Sequence, residues 1–356
     1  MVAIYGIIAS ASASRTTAEP RHGRSIELTS ISRPRRLSGV KDEPERLADG
    51  YDQPTAGFGL RAARCGNILS ACSVGVSAML ISTVEATMTL PSYAMNQAGF
   101  PQMYERCLVG PLFRPWVDAI LEQVELSPGD RVLDIACGTG IVARVARERL
   151  GGNGDVVGID VSADMIAVAR AAEPQIDWRE GNAGSLPLRN GEQFSVVVCQ
   201  QGLQFFADKP AAVNQMRRAL GTGGRLAIAT WRSDDEIPFF RDLRRVAERH
   251  LGAIVDQRHS LGDASRVEAL LRDAGFHQVR LASLSRKIRF PDGAPFVHLN
   301  AMALVGMSDA GKDMTDQQRK QVVATIASES APVLESYGGQ TGLAFDTSTN
   351  LVSAML

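Results

Sequence analysis

The chain has little cysteine, and what it has is badly placed for cross-linking or for holding a metal. Five cysteines among 356 residues (Cys65, Cys72, Cys107, Cys137, Cys199) are an odd number at irregular spacing, with no C-x-x-C pair. That pattern argues against a disulfide framework and a zinc site, and it fits a reducing compartment, so a cytoplasmic location and no bound metal are expected. An excess of charge of one sign is missing too. Lys and Arg number 38 against 39 Asp and Glu, for a formal net charge of −1. Nucleic-acid binding normally leaves a basic excess, so no nucleic-acid partner is expected. A long apolar run is also absent. Residues 67–84 carry no charge but are diluted by Ser, Gly and Cys, too weakly apolar for a stable membrane span.

Regular periodicity is what the first 90 residues lack. Segments such as SASASRTT and SISRPRRLSG are rich in Ser, Arg and Pro, as in a disordered extension. A transit peptide shares that composition, but Glu19, Glu27, Asp42, Glu43 and Glu45 count against one, and no charged segment precedes the apolar start as a secretory signal requires. The expected organisation is an extension over residues 1–90 followed by one domain over 91–356. Overall, 45% hydrophobic and 22% charged residues are ordinary for a globular protein.

What the chain does have is a turn built for a nucleotide. Val132, Leu133 and Asp134 end a strand pattern, Ile135 and the small residues Ala136-Cys137-Gly138-Thr139-Gly140 follow, and an apolar-periodic helix opens at Ile141. Glycines let a backbone pass close to a ligand, and a helix start points free N–H groups and a positive dipole end at it. Gly138-x-Gly140-x-x-Ala143 also fits the dinucleotide fingerprint, and Asp160, 20 residues beyond Gly140 at the end of a second strand pattern, stands where a ribose-binding acid belongs. Asp134 separates the two readings. A pyrophosphate over this turn would meet an anionic side chain at a cost of roughly a few kcal/mol. A phosphate-free cofactor with a cationic end would be welcomed, and S-adenosylmethionine is one.

At this point the chain resembles the class I S-adenosylmethionine-dependent methyltransferases, and within them the small-molecule enzymes related to ubiquinone and menaquinone C-methylases (methyltransferase type 11). Five segments carry the resemblance in order: VLDIACGTG, GIDVSADMIAVAR, EGNAGSLPL, FSVVVCQQGLQFF and LGTGGRLAIATW. The resemblance implies a doubly wound α/β fold with a mostly parallel, seven-stranded, Rossmann-like sheet, its cofactor core over 131–231 and a cap and C-terminal strand pair over 232–356. It implies cofactor contacts from Asp134, Ala136, Gly138, Gly140, Asp160, Val161, Met165, Asn182, Ala183 and Gln200. Substrate contacts are expected from Tyr104, Gln204 and Phe205. Where the family usually has Asp-Ala in the adenine segment, this chain has Asn182-Ala183, and the Asn carbonyl oxygen is expected to accept from the adenine amino group.

The coarse pattern places helices over 103–124, interrupted at Pro111 and Pro115. Strands are expected at 175–179, 194–199, 225–231, 278–290 and 342–353, and helices at 236–250, 265–274, 294–305 and 315–334. The long insertion before the last strand reads as a helical cap over the substrate mouth. Methyl transfer needs alignment and exclusion of water more than a base, so no catalytic residue is assigned. Among His22, His250, His259, His277 and His298, His259 is best placed for one, beside the Ser260-Leu261-Gly262-Asp263 turn. Methyl transfer to a small apolar or aromatic acceptor is the leading function. Alternatives are a nicotinamide-dependent dehydrogenase, for which no Tyr-x-x-x-Lys pair is found, and a non-catalytic module that binds S-adenosylmethionine. The absence of an N/D-P-P-Y/F segment after the fourth strand disfavours a nucleic-acid methyltransferase. The oligomeric state is left open.

Because periodicity begins only after residue 90, a chain started at Met88 is expected to fold with the thermal midpoint of the full chain. An aggregated truncation beside a soluble full-length protein would contradict this.

Overall fold

The computed structural model describes residues 99–338 and 342–356. The expectations for residues 1–90 lie outside the described residues. Seven strands form one sheet in the order β3-β2-β1-β4-β5-β7-β6. They are β1 Arg131–Ile135, β2 Asp155–Asp160, β3 Asp177–Glu180, β4 Phe194–Gln200, β5 Leu220–Trp231, β6 His277–Phe290 and β7 Leu343–Met355. The first five run parallel, and β7 runs antiparallel to both β5 and β6. This is the expected doubly wound, Rossmann-like sheet with an antiparallel pair at one edge.

The central strands alternate between two buried faces, as period-2 side chains must. Val132, Val196 and Val198 face a layer that includes α2 Arg114–Glu122, α3 Ile141–Leu150 and α4 Ala163–Ala172. Leu133, Val197, Leu226 and Ile228 face the opposite layer, with α5 Lys209–Ala219 and α7 Ala264–Asp273. Side-chain caps fix where several helices begin. The Met165 N–H donates to Ser162 Oγ at 3.3 Å, Ala211 N–H to Asp208 Oδ1 at 2.8 Å, and Ser265 N–H to Asp263 Oδ1 at 2.9 Å.

A third cluster is aromatic. It joins the N-terminal helices, α6 Pro238–Leu251, and α8 Ala294–Met307 with α10 Asp316–Glu329 of the cap inserted between β6 and β7. Two short helices, α9 Asp309–Asp313 and α11 Ala331–Ser336, complete the cap. The expected helix over 315–334 is therefore two. Thr315 opens α10 with a capping box, and α11 starts afresh around Pro332, which has no N–H to continue a helix. The third strand begins two residues later than expected, because Ile176 N–H turns back to the Glu173 carbonyl.

The N-terminal stretch also differs from its pattern. The chain stays helical from α1 Phe100–Tyr104 to α2, because a π-helical segment, Glu105–Phe113, accommodates Pro111, and Pro115 falls in the first turn of α2 where no N–H is needed. Among the described residues no helix is long and apolar enough to cross a membrane, and no group of three or more His, Cys, Asp or Glu could hold a metal.

One glycine of the nucleotide turn has a packing duty. Gly140 is left-handed, with φ 90°, and a Cβ built there would overlap the indole of Trp178 on β3. The same ring fills the place of a Cβ at Gly158 on β2, and its Nε1–H donates to the Glu173 carbonyl at 2.8 Å. Gly140 thus makes room for a core side chain, beside the clearance for a ligand that the sequence suggested. Gly140→Ala is expected to cost about 2–4 kcal/mol, from the left-handed backbone and the overpacked indole together. Urea unfolding measures this, and a loss under about 0.5 kcal/mol, the ordinary surface range, would remove Trp178 from the explanation.

Candidate functional site

The carboxyl ends of β1, β2 and β4 meet at one point, where ligands bind in open α/β sheets. Register brings the acids there. Asp134 on β1 lies opposite Gly158 of β2 and Val198 of β4, while Asp160 is the last residue of β2. Both are 1% exposed. Asp134 Oδ2 accepts from the Ala143 N–H in the first turn of α3 at 3.1 Å. Asp160 accepts twice, from Gly138 N–H at 2.9 Å on Oδ2 and from Ser162 N–H at 2.9 Å on Oδ1. The first of these bonds ties the glycine turn to the neighbouring strand.

Among the described residues, no arginine, lysine or histidine side chain is hydrogen-bonded or ion-paired with either carboxylate. Burial therefore dominates their titration. It pushes Asp134 up to about 8, with Asp160 nearby adding to the rise and the Ala143 bond opposing it. Burial pushes Asp160 up to about 6, against its two backbone bonds. The Tyr104 phenol is raised by burial and further by Asp160 and Glu105. The Cys137 thiol is raised by burial and by both acids, so it stays protonated and acts as a small packing residue.

Tyr104, Phe113, Asp134, Ala136, Gln200 and Gln201 are among the residues around a cavity of about 20 Å³. Of the residues expected from the sequence, it gathers Tyr104, Asp134, Ala136 and Gln200, and Gly138 joins through its bond to Asp160. Met165 is buried in the aromatic cluster, and Val161 is half-buried on the turn before α4. Ala183 packs beneath the sheet against the opposite cluster. Asn182 is exposed, and its Oδ1 accepts from the Gly184 N–H at 2.8 Å. Gln204 and Phe205 are buried in the loop after β4, outside the cavity wall. A more spacious groove of about 550 Å³ runs along the outside of α3, but its Arg114, Arg144 and Arg147 are each paired, with Asp118, Glu105 and Glu173.

Sequence reasoning missed Phe113 and Gln201. The Phe113 carbonyl accepts from Gln200 Nε2 at 3.2 Å. Gln201 and Ala136 are non-glycine residues at positive φ, 55° and 58°, and each directly follows a central strand. Such backbone is costly and concentrates at functional sites. The doublet Gln200-Gln201 at the end of an otherwise apolar strand was the available signal.

Comparison with known proteins agrees in kind with this arrangement. Residues 132–224 match a family model described as a methyltransferase domain. A 2-phytyl-1,4-naphthoquinone methyltransferase of Thermosynechococcus vestitus is 37% identical over 120 residues, 33% of this chain and 53% of that protein. A ubiquinone/menaquinone biosynthesis C-methyltransferase of Xanthomonas campestris is 35% identical over 123 residues, 33% of this chain and 48% of that protein. The chain thus spans about half the length of these curated relatives. Among solved structures, a phosphoethanolamine N-methyltransferase 2 of Haemonchus contortus, in complex with S-adenosyl-L-methionine, is 17% identical with a TM-score of 0.45, over 74% of this chain and 58% of that one. Over this stretch the chain is similar to a methyltransferase domain and resembles the quinone C-methylases.

The buried Asp134 makes a testable link to stability. Folded, its carboxyl holds a proton up to about pH 8, and unfolded only up to its ordinary value of 3.8. Between those values the folded state binds more protons, so stability falls as pH rises through the window. Asp134→Asn keeps an acceptor for Ala143 N–H and never ionises. It is expected to match the parent near pH 4 and to be the more stable by on the order of a few kcal/mol at pH 8. Urea unfolding at both pH values checks this, and a difference that does not widen with pH would mean that Asp134 is not held in a desolvated place.

Proposed function

We propose that this protein transfers a methyl group from S-adenosylmethionine to a small apolar or aromatic acceptor. The observation that carries the reading is the pair of buried carboxylates, bonded only to backbone among the described residues, at the adjacent ends of β1 and β2 beside a glycine turn that opens α3. Acids raised this far by burial favour a ligand whose positive charge draws them into the ionised form and whose hydroxyls donate to them. The residues fit the cofactor: Asp134 for its cationic amino-acid end, Asp160 for the ribose hydroxyls, and Gln200 beside Asp134 on the cavity wall. Asn182 would serve the adenine only by sharing the oxygen it gives to Gly184. Bound there, the cofactor supplies an electrophilic methyl on a sulfonium.

The protein's remaining task is to align an acceptor and keep water out. Tyr104 lies 5.2 Å from Phe113 between ring centroids, Phe113 lies 6.2 Å from Trp231, and Trp231 lies 6.5 Å from Phe240. This aromatic row leads from the acids toward the cap and supports an apolar, ring-bearing acceptor. A cavity of about 20 Å³ accommodates a single water. Cofactor entry therefore requires the Phe100–Phe113 stretch, whose Tyr104 and Phe113 wall the cavity, to shift outward. Cys107, Cys137 and Cys199 are free thiols, in keeping with a cytoplasmic setting, and the balanced charge gives no reason to invoke nucleic acid.

Isothermal calorimetry with S-adenosylhomocysteine and with NAD tests the reading. S-adenosylhomocysteine is expected to bind and NAD not. Its cationic end ionises Asp134, so binding should release protons and tighten as pH rises from 6 to 8. Asp160→Ala should weaken it by about 1.5–3 kcal/mol through loss of a charged acceptor. NAD binding with no response to S-adenosylhomocysteine would hand the site to the dehydrogenase alternative.

A further inference from the structure

The Gln200 carboxamide stands at the cavity wall with one end engaged and the other left over. A backbone carbonyl fixes which end is which, because a carbonyl can only accept. Gln200 Nε2 donates to the Phe113 carbonyl at 3.2 Å, so Oε1 is the end left over. That oxygen is buried and has no hydrogen-bond partner among the described residues, and Gln200 as a whole is 9% exposed. Register says where it lies. Asp134 of β1 is opposite Val198 of β4, and Gln200 follows two residues later, on the same face of the sheet. Both side chains line the cavity, together with Tyr104 and Phe113. Buried polar atoms are nearly always paired in folded proteins, so a lone acceptor beside an acid on a cavity wall calls for a ligand that brings a donor.

The other end of the amide holds the chain that covers the cavity. The π-helical segment Glu105–Phe113 is fastened by a side chain at each end. At its start, Glu105 Oε1 accepts from Arg144 Nη2 of α3 at 2.7 Å. The side chains of that pair are 26% and 24% exposed, and solvent weakens it. At its finish, the bond from Gln200 is buried, and the Phe113 ring stands between those of Tyr104 and Trp231, at 5.2 and 6.2 Å. The two fastenings are therefore unequal. Ile141 lines both the cavity and the groove outside α3, and Arg144 of the weaker fastening lines the groove as well.

We propose that Gln200 is a positioning residue that ties the covering segment to the cofactor: Oε1 accepts an N–H of the cofactor's ammonium group, and Nε2 keeps the Phe113 carbonyl. The inference rests on the methyltransferase reading. An ammonium has three N–H groups, so Asp134 and Gln200 can each take one. Phe113 is then the pivot of the segment, and its Glu105 end is the part that swings toward the groove to admit the cofactor. Glutamine suits both duties. An ionised carboxylate at this position has no proton for the Phe113 carbonyl, and an apolar side chain serves neither partner.

The coupling follows from burial. A closed segment over a cavity without a donor buries Oε1 unpaired, which is costly. A ligand N–H removes that cost from the closed arrangement and not from the open one, where water reaches the oxygen. Only such a difference between the two arrangements lets a ligand shift their balance. A single water in the small cavity would also pair Oε1 and would leave the pivot indifferent to the cofactor.

The test uses the full chain labelled with nitrogen-15 in glutamine, at pH 7. It is titrated with S-adenosylhomocysteine and with the desamino analogue, which keeps the carboxylate and lacks the ammonium. S-adenosylhomocysteine is expected to move the Gln200 Nε2 resonance, and the analogue to leave it in place. Amide exchange over residues 113–118 is expected to slow at least about fivefold more with S-adenosylhomocysteine than with the analogue. Gln200→Leu should abolish that difference and lower the calorimetric preference for S-adenosylhomocysteine over the analogue by about fivefold or more. A resonance that answers both ligands alike, or an exchange difference that survives Gln200→Leu, overturns the proposal and leaves Gln200 as a support for Phe113 alone. Failure of the unmodified chain to bind S-adenosylhomocysteine overturns the methyltransferase reading instead.

Discussion

Most of the site depends on one bond, from the Gly138 N–H to Asp160 Oδ2. It joins the turn after β1 to the end of β2, so the two buried acids and the glycines between them form one rigid unit. Asp134 is bound to that unit through the first turn of α3, and Asp160 reaches on to the turn before α4. Among the described residues the backbone supplies every hydrogen bond these carboxylates make, and no side-chain cation pairs with them. Such an arrangement stores unfavourable desolvation in the free protein and relieves it when a charged or hydroxylated ligand arrives. A place destabilised in this way is a natural seat for function, since stability and binding pull against each other there.

The sheet was legible in the sequence because its signals are local and mutually consistent. Strand patterns ending in Asp134 and Asp160, a continuous apolar β4, and the caps Ser162 and Asp208 each point to the same alternation of strand and helix. The cap between β6 and β7 was legible as a long helical insertion. The details of the site were less so. The packing of Trp178 against Gly140 joins residues from different strands, and no local pattern encodes such a contact. The positive φ of Ala136 and Gln201 is imposed by tertiary structure on residues that do not prefer it. The π-helical stretch absorbs Pro111 where simple periodicity calls for a break.

The buried polar groups at this end of the sheet have different origins. The acids belong to the sheet and would exist without the cap. Those around Gln201 and His259 depend on the chain's later half, because Thr349 comes from β7, and the turn carrying His259 is braced against α8 through Arg258 and Asn300. The insertion therefore does more than cover the mouth of the sheet. Through Asn300 it holds Arg258, while β7 contributes Thr349 to a separate chain of bonds with Gln201. Networks of this kind fix one arrangement when fully paired.

The Trp178 indole, wedged against both Gly140 and Gly158, makes three positions from three elements into a single steric unit. None of the three can drift alone. A methyl gained at either glycine has nowhere to go while the indole stays, and a smaller ring at 178 leaves a void beneath the nucleotide turn. Substitutions there should be tolerated only in combination, so descendants of this chain are constrained to change all three together or none. The turn proposed to meet the cofactor is thereby held to its sequence by a side chain packed in the core.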